Sequence, residues 1–391
     1  MSRPDAAAPQ ALPLVAPGPE LTSAETERYS RHLLLPGIGS QGQRRLKNAR
    51  VLVVGAGGLG SPAITYLAAA GVGTLGVVDD DVVELSNLQR QVVHGGDDLG
   101  RPKVDSAADA VARINPLVTV RRHHQRLTAA TALALVGQYD LVLDGADNFA
   151  TRYLVSDACT LAGVPEVWGS VLRFDGQVSV FWAGHGPTYR DLFPVPPAAG
   201  SVASCAEAGV LGAMCAAVGS VMAIEAVKLV TGAGLPLLGR LLVLDALAMT
   251  WRSVDVRPDP ERREVEAVRD ATPAGALPPA DPADTLRATE LADLLAARSR
   301  GDVAFRLVDV RGPDEAAVVA IPGAELVPLA GLSAAAAGWP RQERVVLHCK
   351  SGGRSAQALL VLRDAGFTTA QHLEGGVLAW VAEVDPSLPR Y

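Results

Sequence analysis

Cys349 ends an apolar run, RVVLHC, and is followed at once by KSGGRS, so a thiol meets a loop with two adjacent glycines and two cations. Gly352 and Gly353 let such a loop curl until several backbone N–H groups face one sulfur. Ser351 and Ser355 flank the turn, and Lys350, Arg354 and the dipole of the helix that follows add positive potential. A pocket of this kind stabilises a thiolate, and then a persulfide, without a histidine base. Four residues separate Cys349 from Arg354. That ring is shorter than the Cys-x₅-Arg cradle of phosphatases and suits one sulfur better than a phosphate. A second thiol, Cys205 in SCAEAGVLG, stands just before a long apolar stretch, where helix-start amides favour the nucleophilic thiolate. Cys159 and Cys215 lie in Ala-rich stretches and read as small core residues.

The other chemistry-bearing loop is VLVVGAGGLG at residues 51–60. Gly55, Gly57 and Gly60, with Gly58 between, satisfy G-x-G-x-x-G between a strand-like run and a helix-like one, the context that lets a backbone approach phosphate. The next strand, TLGVVD, ends in Asp79, nineteen residues after Gly60, where a carboxylate can accept hydrogen bonds from ribose hydroxyls. A nicotinamide or flavin enzyme would look the same to this point.

Elements must carry these loops, and their pattern is that of an α/β protein. Of the 391 residues 49% are hydrophobic and 4% aromatic, which suits parallel strands buried on both faces. Residues 1–20, with five prolines, are expected to be a disordered tail. From 21 to 255, strand-like runs at 51–54, 75–79, 118–121, 141–144, 178–182 and 241–245 alternate with helical stretches, a Rossmann-like arrangement. Residues 256–284, dense in Pro, Asp, Glu and Arg, read as a linker, and 285–391 as a smaller α/β domain with strands at 306–310, 325–328, 344–348 and 369–373. A net charge of −7 argues against nucleic acid or an acidic membrane surface as the main partner. The longest uncharged stretch, residues 208–224, falls short of a membrane span at 17 residues and reads as a buried helix. Four cysteines without a CxxC pair point to free thiols and the reducing cytoplasm.

Three further stretches narrow the nucleotide. D-x-D-x-V-E-x-S-N-L-Q-R-Q (residues 79–91), G-R-P-K (100–103) and L-V-L-D-G-A-D-N (141–148), with R-Y-S-R-H (28–32) upstream, resemble the adenylating family that activates small ubiquitin-like sulfur carriers. That family includes the molybdopterin-synthase and thiamine-carrier adenylyltransferases, relatives of the ubiquitin-activating enzymes. The resemblance implies an ATP site with Mg²⁺. It assigns Arg90 and Lys103 to the phosphates and Ser86, Asn87, Leu88 and Gln89 to the same cluster. It assigns Asp147, with Asn148, to Mg²⁺ and the adenylation centre, and gives Arg31 a reach to the nucleotide of a neighbouring subunit in a homodimer. The cations would offset the repulsion between a carrier's C-terminal carboxylate and ATP, an effect of about 3–4 kcal/mol per well-placed group. Asp144 and Asp81 read as ordinary strand-end and loop carboxylates. Cys205 matches a cysteine proposed in the family to bond transiently to carrier or sulfur.

Many relatives bind a structural zinc with two CxxC pairs. Here Thr188 and Asp191 stand at the first pair, and the second, near RPDPERRE, is also missing, so no zinc is expected. This departure resembles a zinc-free branch that ends in a sulfurtransferase domain. The Cys349 loop in turn resembles the rhodanese active loop, as do LVDVR (307–311), IPGA (321–324) and LEGGVLAW (373–380). Rhodaneses often carry a histidine where Ala320 precedes IPGA.

Together these imply a bifunctional enzyme: a Gly-Gly-ended carrier is adenylated, and Cys349, loaded by a cysteine desulfurase or thiosulfate, attacks the acyl-adenylate. Molybdopterin, cysteine, thiamine and siderophore pathways all remain open for the carrier. Two rivals stand beside this reading. One is a carrier-activating scaffold whose second domain only docks a sulfur donor, and the other is a nicotinamide oxidoreductase fused to a sulfurtransferase.

Overall fold

The strand β1 (Arg50–Val54) shows how the first sheet is built. Val51 and Val53 enter one apolar cluster and Leu52 and Val54 another, so this strand of only apolar interior residues is covered on both faces. In a computed structural model describing residues 13–197, 209–270 and 282–391, the chain forms two units, one on each side of residue 273.

In the first unit, α1 (Ser23–Arg28), α2 (Ser30–Leu33) and α3 (Gly39–Asn48) precede β1. There follow α4 (Gly60–Ala70), β2 (Thr74–Val78), α5 (Lys103–Ile114), β3 (Thr119–His123), α6 (Ala129–Val136), β4 (Leu141–Asp144) and α7 (Phe149–Ala162). Then come β5 (Glu166–Leu172), β6 (Asp175–Phe181), α8 (Tyr189–Leu192), α9 (Gly212–Thr231), β7 (Arg240–Asp245) and β8 (Thr250–Asp255). The sheet order is β3-β2-β1-β4-β5-β6-β7-β8, parallel from β3 to β5 and antiparallel beyond. Strand order reverses between β1 and β4, which opens a crevice past their carboxyl ends. The expected strands are present, and β5 and β8 join them. Helix α9, at 20 residues, is long and apolar enough to cross a bilayer, but 56% of its most apolar window is buried in this unit.

Two segments depart from their expected character. Within the expected tail, Leu14 N donates to Leu229 O at 3.0 Å and Val15 joins the core, so residues 14–18 are laid on α3 and α9. Within the expected linker, Val256 N donates to Gly239 O at 2.9 Å and Asp270 accepts from Ala129 N at 2.8 Å. Residues 256–270 are therefore a strap along the first unit.

The second unit holds β9 (Thr285–Leu286), α10 (Ala288–Arg300), β10 (Arg306–Asp309), α11 (Pro313–Val318), β11 (Glu325–Leu326) and α12 (Leu332–Ala336). It continues with β12 (Val345–His348), α13 (Gly353–Asp364), β13 (Gln371–Leu373) and α14 (Gly376–Glu383). Its strands pair in parallel in the order β11-β10-β12-β13-β9. Neighbouring residues of β12 again serve opposite faces, Val345 and Leu347 one cluster and Val346 the other.

Candidate active sites

The crevice between β1 and β4 is a cavity of about 320 Å³. Gly55 turns the chain out of β1 with φ +85°, and a Cβ on Gly60 would lie 1.9 Å from Gly55 O. Both positions therefore require glycine for the α4 N-terminus to meet the loop. Gly57 is open on its cavity side, with only Gln91 Nε2 at 3.8 Å from where a Cβ would stand, so a phosphate could approach the backbone there. Gln91 is buried and its Oε1 has no hydrogen-bond partner among the described residues, a polar atom facing a polar ligand's space. These features fit a nucleotide triphosphate.

Gly55, Gly57, Gly58, Asp79, Arg90, Lys103, Asp147 and Asn148 all line this cavity, so the structure brings together residues that are up to 93 positions apart. Asp79 accepts from Ala56 N at 2.8 Å and from Asp81 N at 2.9 Å, which fixes its carboxylate at the loop, and burial raises its pKa. Lys103 is buried and paired with the exposed Asp81 at 2.7 Å. Asp81, read as an ordinary loop carboxylate, thus holds a site cation in place. Arg90 donates to Ser86 O at 3.0 Å. Asn148 caps α7 by accepting from Thr151 N at 2.9 Å, and Asp147 beside it is exposed at the cavity.

Gly60, Ser86, Asn87, Leu88 and Gln89 do not line the cavity. Asn87 is buried and accepts from Glu84 N, so it shapes the turn that carries Arg90. Arg31 lies exposed on α2, away from this cavity. Cys205 lies outside the described residues.

The sequence reading missed several contributors. His94 is buried with Nδ1 2.8 Å from Ser106 Oγ and Nε2 2.9 Å from Ala56 O, and burial lowers its pKa, so it is neutral and pins the glycine loop to α5. Arg152 donates to Ala146 O at 3.1 Å and lines the cavity. Cys215, a core residue as read, also reaches the cavity beneath Gly58. Asp144 is fully buried, accepts from Ala146 N, and burial pushes its pKa up to about 6. No local pattern marks these side chains. Asp144 stands out only as the one charged residue of a strand buried along its whole length.

Thr188, Asp191, Asp259 and Arg262, far apart in two Thr/Asp-x-x-Asp/Arg pairs, meet in one cluster. Asp191 Oδ2 accepts from Thr188 N at 2.6 Å and Thr188 Oγ1 at 2.9 Å. Its Oδ1 accepts from Asp259 N at 2.9 Å and Arg262 Nε at 2.8 Å. The Asp191 side chain is 1% exposed. An ion pair thus ties the strap to α8 where two cysteine pairs would otherwise be expected to meet.

In the second unit, Cys349 is buried at the end of β12, and Gly352 N donates to its Sγ at 3.1 Å. Gly352 itself takes φ +101°. The loop is held from behind by the LEGG turn: Val377 N donates to Cys349 O at 2.8 Å and Leu378 N to Lys350 O at 3.1 Å. A Cβ on Gly376 would lie 2.4 Å from Cys349 O. With these two carbonyls drawn toward α14, the Gly352 N–H is left to face the sulfur. Sγ lies 3.6 Å from Ser355 Oγ, and His372 Nδ1 lies 3.5 Å beyond. His348 is buried with its pKa pushed down to about 4, so it is neutral and not a base for the thiol at neutral pH. Both loop cations are engaged: Arg354 forms a bidentate pair with Glu315 at 2.7 Å, and Lys350 Nζ lies 4.4 Å from the centre of the Tyr391 ring.

Residues 29–265 match the ThiF family and residues 288–383 the rhodanese-like domain. The chain is 51% identical over 390 residues to the probable adenylyltransferase/sulfurtransferase MoeZ of Mycobacterium tuberculosis, covering 97% of this chain and 98% of that protein. It is 42% identical to the adenylyltransferase and sulfurtransferase MOCS3 of Bos taurus, covering 96% and 90%. A sulfur carrier protein adenylyltransferase of Thermus thermophilus is 52% identical over 244 residues, covering 61% of this chain and 90% of that one. Among solved structures, E. coli MccB with MccA-N7isoASN resembles the fold with a TM-score of 0.54 and 22% identity, covering 60% of this chain and 73% of that one.

Proposed function

The chain belongs to the ThiF family, with a rhodanese-like domain behind it, and is an adenylyltransferase and sulfurtransferase; we propose how its residues divide that work. The first unit uses ATP to adenylate the C-terminal glycine of a ubiquitin-like sulfur carrier. The convergence of Arg90, Lys103 and Asp147 on the glycine-loop cavity carries this reading, because it sets cations and one exposed carboxylate where phosphates and a metal would meet.

Gly57 and the α4 N-terminus receive the phosphates, and Asp79 meets the ribose. Arg90 and Lys103 neutralise charge as the carrier carboxylate approaches the α-phosphate. Asp147 would hold Mg²⁺, which supplies further neutralisation of the triphosphate when bound. Arg31 is exposed for a partner subunit's nucleotide in a homodimer.

Sulfur then passes through Cys349. Its thiolate takes the outer sulfur of a donor persulfide, from a cysteine desulfurase or a comparable donor, and the donor thiolate leaves. The persulfide attacks the acyl-adenylate, a carbon–sulfur bond forms and AMP departs. Thiol exchange by Cys205 frees the carrier thiocarboxylate and leaves a Cys349–Cys205 disulfide for a cellular dithiol to reduce. Joining both activities in one chain raises the effective concentration of sulfur at the adenylate, and the reducing cytoplasm suits the thiols. The cysteine ligands of the family's zinc are replaced, so no structural zinc is bound.

The decisive experiment is the intact mass of candidate carriers incubated with enzyme, ATP and a sulfur donor, looking for oxygen-to-sulfur exchange. Cys349→Ala should still release pyrophosphate with the carrier but form neither enzyme persulfide nor thiocarboxylate. Thiocarboxylate at the wild-type rate in that variant, without free sulfide, would make the second unit a docking module.

A further inference from the structure

Ser355, in the first turn of α13, makes every hydrogen bond a hydroxyl can make, and one of its partners is the sulfur of Cys349. The Cys349 thiol donates to Ser355 Oγ across 3.6 Å, and the hydroxyl donates to Gly352 O at 2.9 Å. The remaining lone pair faces His372 Nδ1 at 3.5 Å. A hydroxyl has one proton and two lone pairs. Its proton goes to the nearer carbonyl, so Nδ1 is the nitrogen that carries hydrogen. His372 points here because β13 pairs it with Leu347, whose side chain lies on the sheet face covered by α13. It is buried, and burial lowers its pKa against the opposing fields of Glu374 and Asp284. The imidazole is therefore neutral at pH 7, and protonation in acid would leave the Nδ1–H where it is.

Gly352 O does not depend on Ser355. Ala356 N donates to the same oxygen at 3.0 Å, so the hydroxyl can leave without orphaning it. When the thiol loses its proton, Ser355 Oγ loses a donor, and the anion beside it becomes the stronger acceptor. The hydroxyl then turns its proton to the sulfur, which already accepts from Gly352 N at 3.1 Å.

We propose that His372 is a positioning residue of the sulfur-transfer site: its Nδ1–H occupies one lone pair of Ser355 and aims the hydroxyl, which becomes the second donor to the Cys349 thiolate. The inference rests on Cys349 being the sulfur carrier. The thiol proton goes to water, and the hydroxyl proton only changes acceptor. Two donors on the anion favour the form that takes sulfur from a donor persulfide. The loop and the elements packed against it carry other charged or titratable groups. His348 is neutral, Asp309 is paired with Arg311, Arg354 is paired with Glu315, and Lys350 lies against the Tyr391 ring. None of them hydrogen-bonds the Ser355 hydroxyl.

The test is the pH dependence of Cys349 alkylation by iodoacetamide in the full chain, read on the Cys349 peptide by mass spectrometry. The midpoint of that profile reports ionisation of the thiol, which a change in access to the buried sulfur does not move. Ser355→Ala should raise the midpoint by about one pH unit, the tenfold effect of one hydrogen bond to a charged group. His372→Leu should raise it by about half a unit, since the hydroxyl stays but loses its aim. His372→Asn, whose amide can place an N–H near the position of Nδ1, should restore the wild-type midpoint. The double variant Ser355→Ala/His372→Leu should match Ser355→Ala alone, because the imidazole acts through the hydroxyl.

A wild-type midpoint in Ser355→Ala or in His372→Leu overturns the proposal, as does a double variant whose shift is the sum of the single ones. Should Ser355→Ala fail to fold, a midpoint shared by His372→Leu and His372→Asn overturns it alone. If glutathione persulfide adds no sulfur to Cys349 of the wild-type chain, the sulfur-transfer reading falls instead, and the alkylation profiles still decide the role of the hydroxyl.

Discussion

Asp191→Ala removes the carboxylate that joins the strap to α8 and leaves four donors behind: Thr188 N, Thr188 Oγ1, Asp259 N and Arg262 Nε. Removing one partner of a buried ion pair costs about 3–5 kcal/mol, because the other charge stays uncompensated. Here the Arg262 side chain keeps 23% exposure and can recover some hydration, so the loss falls near the lower end, about 3 kcal/mol. For a unit of this size that lowers the melting temperature by roughly 6–12 °C. Arg262→Ala should cost less, about 1–2 kcal/mol, since the carboxylate retains three neutral donors. Chemical unfolding and calorimetry of the full chain measure both. Limited proteolysis should cut within residues 256–270 in Asp191→Ala first. The cluster also predicts metal-independence: elemental analysis should find no stoichiometric zinc, and chelation should leave the melting temperature unchanged. Both alanine variants melting within 1 °C of wild type, or bound zinc, would refute the view that the ion pair fastens this strap.

Asp147→Ala should abolish carrier-dependent pyrophosphate exchange and spare persulfide loading on Cys349; wild-type exchange removes Asp147 from the mechanism. Cys205→Ala should keep the enzyme persulfide but slow carrier release, seen by mass as an accumulating covalent adduct. Burial raises the Asp144 carboxyl to about 6 from 3.8, and Glu166 is raised well above its ordinary value by burial and then by Asp144. The folded state therefore holds their protons more firmly than the unfolded chain. For Asp144 that stabilisation is complete below about pH 4 and is lost as pH rises through about 6, and Glu166, raised likewise, contributes in the same direction. Urea midpoints should show a smaller fall across pH 4–6 in Asp144→Asn than in wild type. Equal falls would place the proton elsewhere.

Much of this protein could be read without coordinates because its chemistry sits where strands end in glycine loops. VLVV followed by GAGGLG, and RVVLHC followed by KSGGRS, are local statements: an apolar run that must be buried, then residues that only a tight turn tolerates. Such patterns place Gly55, Gly57 and Cys349 within a few residues of their roles, and their order along the chain implies a parallel sheet with a crevice at its carboxyl edge. Sequence also separated a cleft cation such as Lys103 from the many surface lysines and arginines, but only through resemblance.

Tertiary structure decided what depends on distant segments meeting. The polar residues expected in a free linker instead form a strap, because Asp191 is buried and needs the donors of Asp259 and Arg262. A proline-rich start reads as disorder until Leu14 finds the carbonyl of Leu229. Ser86, Leu88 and Gln89 belong to the cluster by motif but not by cavity, since the turn carries Arg90 inward and leaves its neighbours outside. His94 and Arg152 act through contacts with no periodicity to announce them. Secondary structure and glycine loops follow from short-range sterics and burial that neighbouring residues set. Charge pairing, caps across the fold and the surroundings of a buried acid follow from which segments the folded chain brings within 3 Å of one another, and no local pattern records that.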